Sequence, residues 1–155
     1  MLDRLFPKQL DNAYRGLWLG LGIFFVAMAV KALQGVLSMI NTRSTAINAD
    51  GIPLDSFSPA AQQEVLTMFA LLGMWLLVLP LLSAIALVRY RAMIPLLYLM
   101  LLSEEAARRV LVYLHTPAGG PAGHPVGFYV NLGILVVTAI GFVLSLVERK
   151  NSGSA

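Results

Sequence analysis

Four charged residues, Glu104, Glu105, Arg108 and Arg109, interrupt an otherwise apolar segment, LLYLMLLSEEAARRVLVYLHT, that runs from Leu96 to Thr116. Two carboxylates and two guanidiniums so close together can neutralise one another, hold a polar or anionic ligand, or exchange protons through the carboxylates. At helical spacing Glu104 stands four residues before Arg108, and Glu105 four before Arg109. Acid before base at i,i+4 is the favourable order, so both pairs are expected. At about 100° per residue the four side chains fill a wedge of about 140°, which predicts that they face one side.

A membrane-crossing helix could not carry these charges unaided. Ten Leu, Ile and Val residues between Ile94 and Leu114 would gain about 3–6 kcal/mol on insertion, whereas four central unpaired charges would cost about 10–14 kcal/mol. Depth relieves part of the cost. Counted from Ala92 at about 1.5 Å per residue, Glu104 lies about 18 Å and Arg109 about 25 Å along the helix, in its outer half. There Arg109 can snorkel toward headgroups.

The remaining compensation must come from other helices. Lys31, Gln34, Gly35 and Ser38 recur at i, i+3, i+4 and i+7 and predict a polar stripe on the first helix, with Lys31 at the level of Glu104. Asn131, Thr138 and Ser145 recur at heptad spacing, a small-polar seam suited to helix contact. The expectation is a polar chamber lined by Lys31, Glu104, Glu105 and Arg108, bordered by Gln34 and Asn131, with Arg109 toward the outer surface. It would be a ligand-binding site or ion pathway, since intramembrane ionisable residues are functional candidates. The competing expectation is an ion-pair network that fixes helix register or docks a partner protein.

The elements that position these residues follow from composition. The 155 residues are 58% hydrophobic and 12% charged, against about 45–50% and about 25% in soluble domains. The apolar residues come in blocks: Leu66 to Val88 and Val126 to Val147 carry no charge, and Gly16 to Val30 is uncharged and continues past Lys31 to Ile40. About 20 apolar residues cross the hydrocarbon core. The pattern predicts an all-α integral membrane protein, a four-transmembrane-helix up-down bundle with spans near 14–40, 62–88, 92–115 and 126–147. Residues 1–150 would form one domain, and 151–155 a disordered tail.

Arg4, Lys8, Arg15, Arg89, Arg91, Arg149 and Lys150 all fall at one end of this arrangement, and Arg43 stands alone in the opposite loops. The positive-inside rule then predicts both termini in the cytoplasm, and the small size suggests a bacterial inner (plasma) membrane. Tyr14, Trp18 and Tyr90 would mark the inner interface; Tyr113, Phe128 and Tyr129 the outer one. The first apolar run is too long for a cleavable signal and is read as a retained span. The first sixteen residues could lie along the interface as an amphipathic piece.

Other signals are weaker. Ser58-Pro59 reads as an N-cap followed by proline at the first helical position, and Asp50-Gly51 as a turn. Pro80 predicts a helix kink in the second span. Gly16 and Gly20 form a small-xxx-small pair that can serve packing within the bundle or between protomers. Trp75, deep in the second span, is read as a packing residue. His115 and His124 are read as exposed loop histidines, and no metal site is expected. There is no cysteine, which excludes disulfides and thiolate chemistry. No nucleophile–base pair, phosphate loop or nucleotide fingerprint appears, so no catalytic residue and no cofactor are assigned.

The leading functional expectation is a non-enzymatic accessory or structural subunit, or a protein that binds a lipid or small amphipathic ligand at the charged cluster. Glu104 and Arg108 would set the polarity of that site, Lys31 and Arg109 would attract an anionic headgroup, and Gln34 and Asn131 would orient it. The alternatives are a proton-coupled transporter or channel using Glu104 or Glu105, and a small lipid-modifying enzyme with a Glu as general base. Partners would be membrane lipids, and a homo-oligomer or larger membrane complex; nothing points to nucleic acid.

Overall fold

The computed structural model describes residues 5–7, 9–115 and 125–147. His124, the tail 151–155, and the basic residues Arg4, Lys8, Arg149 and Lys150 lie outside the described residues. Among the described residues the chain is helical, without strands. Four long helices dominate: α1 (Trp18–Ile40), α2 (Pro59–Arg89), α3 (Ile94–His115) and α4 (Val126–Leu146). Three of them, α1, α2 and α4, are long and apolar enough to cross a membrane, with mean hydropathy of 2.0, 2.5 and 2.1. The charged α3 is not among them.

The surface inverts that of a soluble protein. Large side chains such as Leu19, Phe25, Leu33, Met68, Trp75, Leu81, Val136 and Val143 are exposed, whereas Lys31, Ser38, Ser83, Glu105, Asn131, Thr138 and Ser145 are buried. An apolar exterior around a polar seam suits a lipid surrounding, where tails compete equally for apolar side chains and helices are joined by polar and close-packed contacts. Trp75 is 68% exposed and does not pack inward, contrary to expectation.

The helix ends follow local rules. Ser58 caps α2, its Oγ accepting from the Ala61 N–H at 3.3 Å, with Pro59 opening the helix. Proline fits there because the first-turn N–H has no intrahelical partner. The helix continues through the buried Pro80 to Arg89. A turn at Tyr90 and a 3₁₀ segment, Arg91–Met93, lead directly into α3. α1 begins at Trp18 rather than near residue 14. Leu17 is extended and its N–H donates to the Leu144 carbonyl at 3.2 Å. Ahead of it, Asp11 accepts from the Ala13 N–H at 3.1 Å and pairs with Arg15 at 3.2 Å, while its carbonyl accepts from the Ala92 N–H at 3.3 Å. An Asp that satisfies nearby backbone in this way competes with helix formation.

The loop after α1 carries more structure than its composition announced. Past Asn41 the chain forms a helical turn, Thr42–Ser44, a π-helical stretch, Thr45–Ala49, and a 3₁₀ turn, Leu54–Ser56. Gly51, at φ 69°, makes the turn that separates them, a conformation glycine adopts without steric cost. Ala46 and Leu54 are buried, so this loop folds over the end of the helices instead of extending from it.

Packing centres on α1, which lies against α2 on one side and α4 on the other. Both contacts depend on glycine. A Cβ on Gly73 would stand 2.7 Å from the Gly35 carbonyl oxygen, and one on Gly35 would stand 3.0 Å from the Gly73 oxygen. On the other side a Cβ on Gly20 would come 3.1 Å from the Ser145 nitrogen and 3.3 Å from the Gly141 oxygen. The Gly16–Gly20 pair is thus used within the chain. α3 lies mainly against α4 and has little backbone contact with α1 or α2.

The apolar core, Phe24, Ala27, Met28, Ala86, Ile94, Leu97, Tyr98 and Leu101, fills the end nearest the α2–α3 turn. Phe24 and Tyr98 meet edge to face at 4.9 Å, and Tyr98 Oη donates to the Gly20 carbonyl at 2.6 Å.

Gly73→Val should lower unfolding free energy in detergent by about 1–3 kcal/mol, the usual range for overpacking, because the added carbons meet the Gly35 carbonyl, which cannot move aside, as well as the Met39 and Ser38 side chains. At Gly22, where a Cβ meets nothing within 4 Å, alanine should be neutral or stabilising by up to about 1 kcal/mol. Denaturant titration followed by circular dichroism compares the two.

Candidate functional site: a charged cluster across the helix diagonal

The periodicity of α3 decides which glutamate turns inward. Ile94, Leu97, Tyr98, Leu101 and Glu105 are its buried positions beyond Pro95. They follow the three-and-four spacing of one helix face, and Glu105 is the polar member of that stripe. On α1 the buried face runs Gly20, Phe24, Ala27, Met28, Lys31, Gly35, Ser38. Lys31 and Glu105 therefore project from the two faces that enclose the core, one turn beyond its last apolar layer.

They meet. Lys31 Nζ donates to Glu105 Oε1 at 2.6 Å and to Glu104 Oε1 at 2.8 Å. Lys31 is 2% exposed and Glu105 0%, whereas Glu104 is 37% exposed. α1 and α3 have few backbone contacts here, so the long side chains span the gap between them. The other carboxylate oxygen, Glu105 Oε2, accepts from Arg108 Nη2 at 3.2 Å. Glu105 is thereby held by two cations, and the inner part of the cluster is neutralised and hydrogen-bonded. That is the condition under which buried charge is tolerated.

The expected i,i+4 pairs do not form. Arg108 pairs with Glu105 at i,i+3, and Glu104 turns to Lys31. Lys31 enters between the two glutamates from the neighbouring helix, which an argument confined to α3 could not foresee. Arg109 leaves the ion-pair network: its guanidinium lies over the Phe128 ring of α4, 5.2 Å from the centroid. That is a cation–π distance. Arg109 Nε and Nη2, and Arg108 Nε, are buried without a hydrogen-bond acceptor.

Gln34 and Asn131 join each other, with Gln34 Nε2 donating to Asn131 Oδ1 at 3.2 Å. They tie α1 to α4 beside the cluster. The predicted polar stripe of α1 divides among three neighbours. Lys31 and Gln34 serve α3 and α4, while Gly35 and Ser38 lie against Gly73 of α2. The α4 seam, Asn131, Thr138 and Ser145, is buried throughout.

Asp50, from the loop after α1, is a further member that sequence reasoning did not select. Although the residue is exposed at the surface, neighbouring protein atoms displace part of the water around its carboxyl and raise it above the usual value of 3.8, and the positive charge of Arg108 opposes that rise. Asp50 also stands beside Gly127 in the first turn of α4, where a carboxylate interacts favourably with the helix dipole. Charge thus alternates from the loop inward: Asp50, Arg108, Glu105, Lys31, Glu104. Asp50 was legible only as a turn residue, and only folding of the loop over the helix ends brings it here. Tyr98 and Phe128 were also missed as members of the arrangement.

At the C-terminal end of α3, His115 is exposed and its Nδ1 contacts the Leu111 carbonyl at 2.8 Å. Among the described residues no group of three His, Asp or Glu side chains is placed to hold a metal ion. No protein-family model, no curated protein and no solved structure matches this chain.

Lys31→Met removes the shared cation from two carboxylates and should cost about 3–5 kcal/mol of stability, as for breaking a buried pair. Glu104→Gln, at a part-exposed position, should cost less than about 1 kcal/mol. Unfolding of both variants in the same detergent separates a clasp centred on Glu105 from a network in which the glutamates are equivalent.

Proposed function

We propose that the chain is a non-enzymatic, four-span membrane protein whose charged cluster has two parts. Lys31 and Glu105 form a structural clasp between α1 and α3. Arg108 and Arg109 form a rim that receives the anionic headgroup of a membrane lipid or a small amphipathic anion. The termini face the cytoplasm of a bacterial cell, in keeping with the basic residues gathered at that end. In this reading α3 also spans the membrane, with its charges turned toward α1 and α4.

The observation that carries the reading is the unused hydrogen-bonding capacity of Arg109. Two of its guanidinium nitrogens are buried without an acceptor, although a buried donor normally finds one. The carboxylates of the clasp are engaged with Lys31 and Arg108. A carboxylate, sulfate or phosphate would satisfy a guanidinium in its preferred planar, bidentate manner. Phe128 holds Arg109 in place by its ring face. Lys31, with both near carboxylates bonded to it, is a poor candidate for attracting a ligand; that role shifts to the arginines.

A proton-coupled pathway is the second reading, favoured by the partial exposure of Glu104 beside Lys31. It is opposed by the packed layer beneath the cluster, where Phe24, Tyr98 and Leu101 have no exposed surface. A subunit role in a larger complex fits the apolar exterior equally and does not exclude the rim site.

Protein purified in mild detergent should carry an anionic lipid or amphiphile, identified by mass spectrometry. Arg109→Gln should carry less of it while keeping its melting temperature; full retention by that variant would sink the rim assignment. Proteoliposome flux abolished by Glu104→Gln would favour the second reading. Because the chain lacks cysteine, single introduced thiols report topology directly. Asn48→Cys should react with an impermeant maleimide in intact cells, and Gln9→Cys only after lysis.

A further inference from the structure

At the opposite end of the helices, a small, shallow cleft open to the surface is lined by Tyr14, Arg15, Arg91, Pro95 and Ser145, among others. Its walls come from the segment ahead of α1, the α2–α3 turn and the end of α4. The charge there is set by local structure. Arg91 Nε donates to the Leu87 carbonyl at 2.8 Å, which fixes the guanidinium plane. Its two terminal nitrogens make no hydrogen bond within the described residues. Arg15 pairs with Asp11 through one nitrogen at 3.2 Å, and its side chain is 59% exposed, so the pair is screened and leaves donors on Arg15 unused. Tyr14 Oη is buried and has no hydrogen-bond partner. The N-termini of α1 and α3 and the C-termini of α2 and α4 all lie at this end, so the helix dipoles there offset one another and the arginines set the sign of the charge.

Two arginines and one orphaned hydroxyl around a small cleft describe a receptor for a tetrahedral oxyanion. The site sits beside Trp18, whose ring is 6.3 Å from that of Tyr14, and beside the exposed apolar side chain of Leu19. A ligand anchored in the cleft would thus meet apolar surface immediately along α1. We infer that this cleft binds the phosphate of an anionic phospholipid at the cytoplasmic interface, with Arg91 and Arg15 on the phosphate oxygens, the Tyr14 hydroxyl as a further donor, and the acyl chains lying along α1. Basic pockets between helices on the cytoplasmic side are the general means by which membrane proteins select such headgroups. The inference rests on the membrane reading but not on the Arg109 rim, which lies at the far end of the helices.

The test uses the full chain in a zwitterionic detergent, with Trp75→Phe leaving Trp18 as the reporter. Dihexanoyl phosphatidylglycerol should produce a saturable change in Trp18 emission, and dihexanoyl phosphatidylcholine should not. Arg91→Gln should weaken the response about tenfold or more, as expected for loss of charge-assisted hydrogen bonds. Tyr14→Phe should weaken it by a smaller factor at unchanged melting temperature, since that hydroxyl bonds nothing in the protein; this keeps the inference testable if Arg91→Gln folds poorly. Arg89→Gln, at the same end but outside the cleft, should leave it unchanged, as should Arg109→Gln. Equal responses to the two lipids, or equal losses from Arg89→Gln and Arg91→Gln, would overturn the assignment in favour of diffuse charge. Inorganic phosphate binding as tightly as the lipid would overturn the phospholipid as its source.

Discussion

A lysine ammonium enclosed among apolar helices must be neutralised where it stands, and the arrangement of this protein follows from how Lys31 is matched. Its partners are on α3, a helix with little backbone contact to α1. Charge in a low-dielectric interior is costly when unpaired, so α3 is held at the rotation and height that bring Glu105 to Lys31. That rotation turns Leu101, Tyr98, Leu97 and Ile94 inward together, because they share a face with Glu105. One ion pair thereby sets the register of the apolar layer beneath it.

The remaining contacts work by proximity rather than charge. Between apolar helices surrounded by lipid there is little hydrophobic gain in exchanging a tail for a leucine, and close backbone approach is the main source of attraction. Gly35 and Gly73 supply it between α1 and α2, and Gly20 and Gly141 between α1 and α4. At the second contact Tyr98 reaches across from α3 to the Gly20 carbonyl, so three helices share one small-residue junction. α1 is central because it carries both glycine contacts and the lysine.

The two ends are consequently unlike. Toward the α2–α3 turn the interior is aromatic and aliphatic, closed by Phe24 and Tyr98. Toward the folded loop it is ionic, with acid and base alternating from Asp50 to Glu104. Any ligand of the charged cluster would approach from the loop end or laterally past Arg109 and Phe128. The basic cleft at the other end is separated from it by the apolar core, so the two could be occupied independently.

The sequence by itself determined the apolar segments, their approximate limits and the cap at Ser58. Each depends on local composition or on neighbours within a turn, which a single chain segment carries in full. It also determined that the charges of α3 need partners, because the insertion cost exceeds what the segment's own side chains can recover. Only the tertiary structure decided which partners. Lys31 placed between the glutamates displaces both i,i+4 pairs, Arg109 goes to Phe128, Glu105 rather than Glu104 is enclosed, and Asp50 joins from a loop. These choices depend on relative helix rotation and on a loop folding back, distances between residues some seventy positions apart that no periodicity within one helix encodes. The start of α1 at Trp18 was decided in the same way: the backbone ahead of it bonds to the α2–α3 turn and to the end of α4, neighbours that only the folded chain supplies.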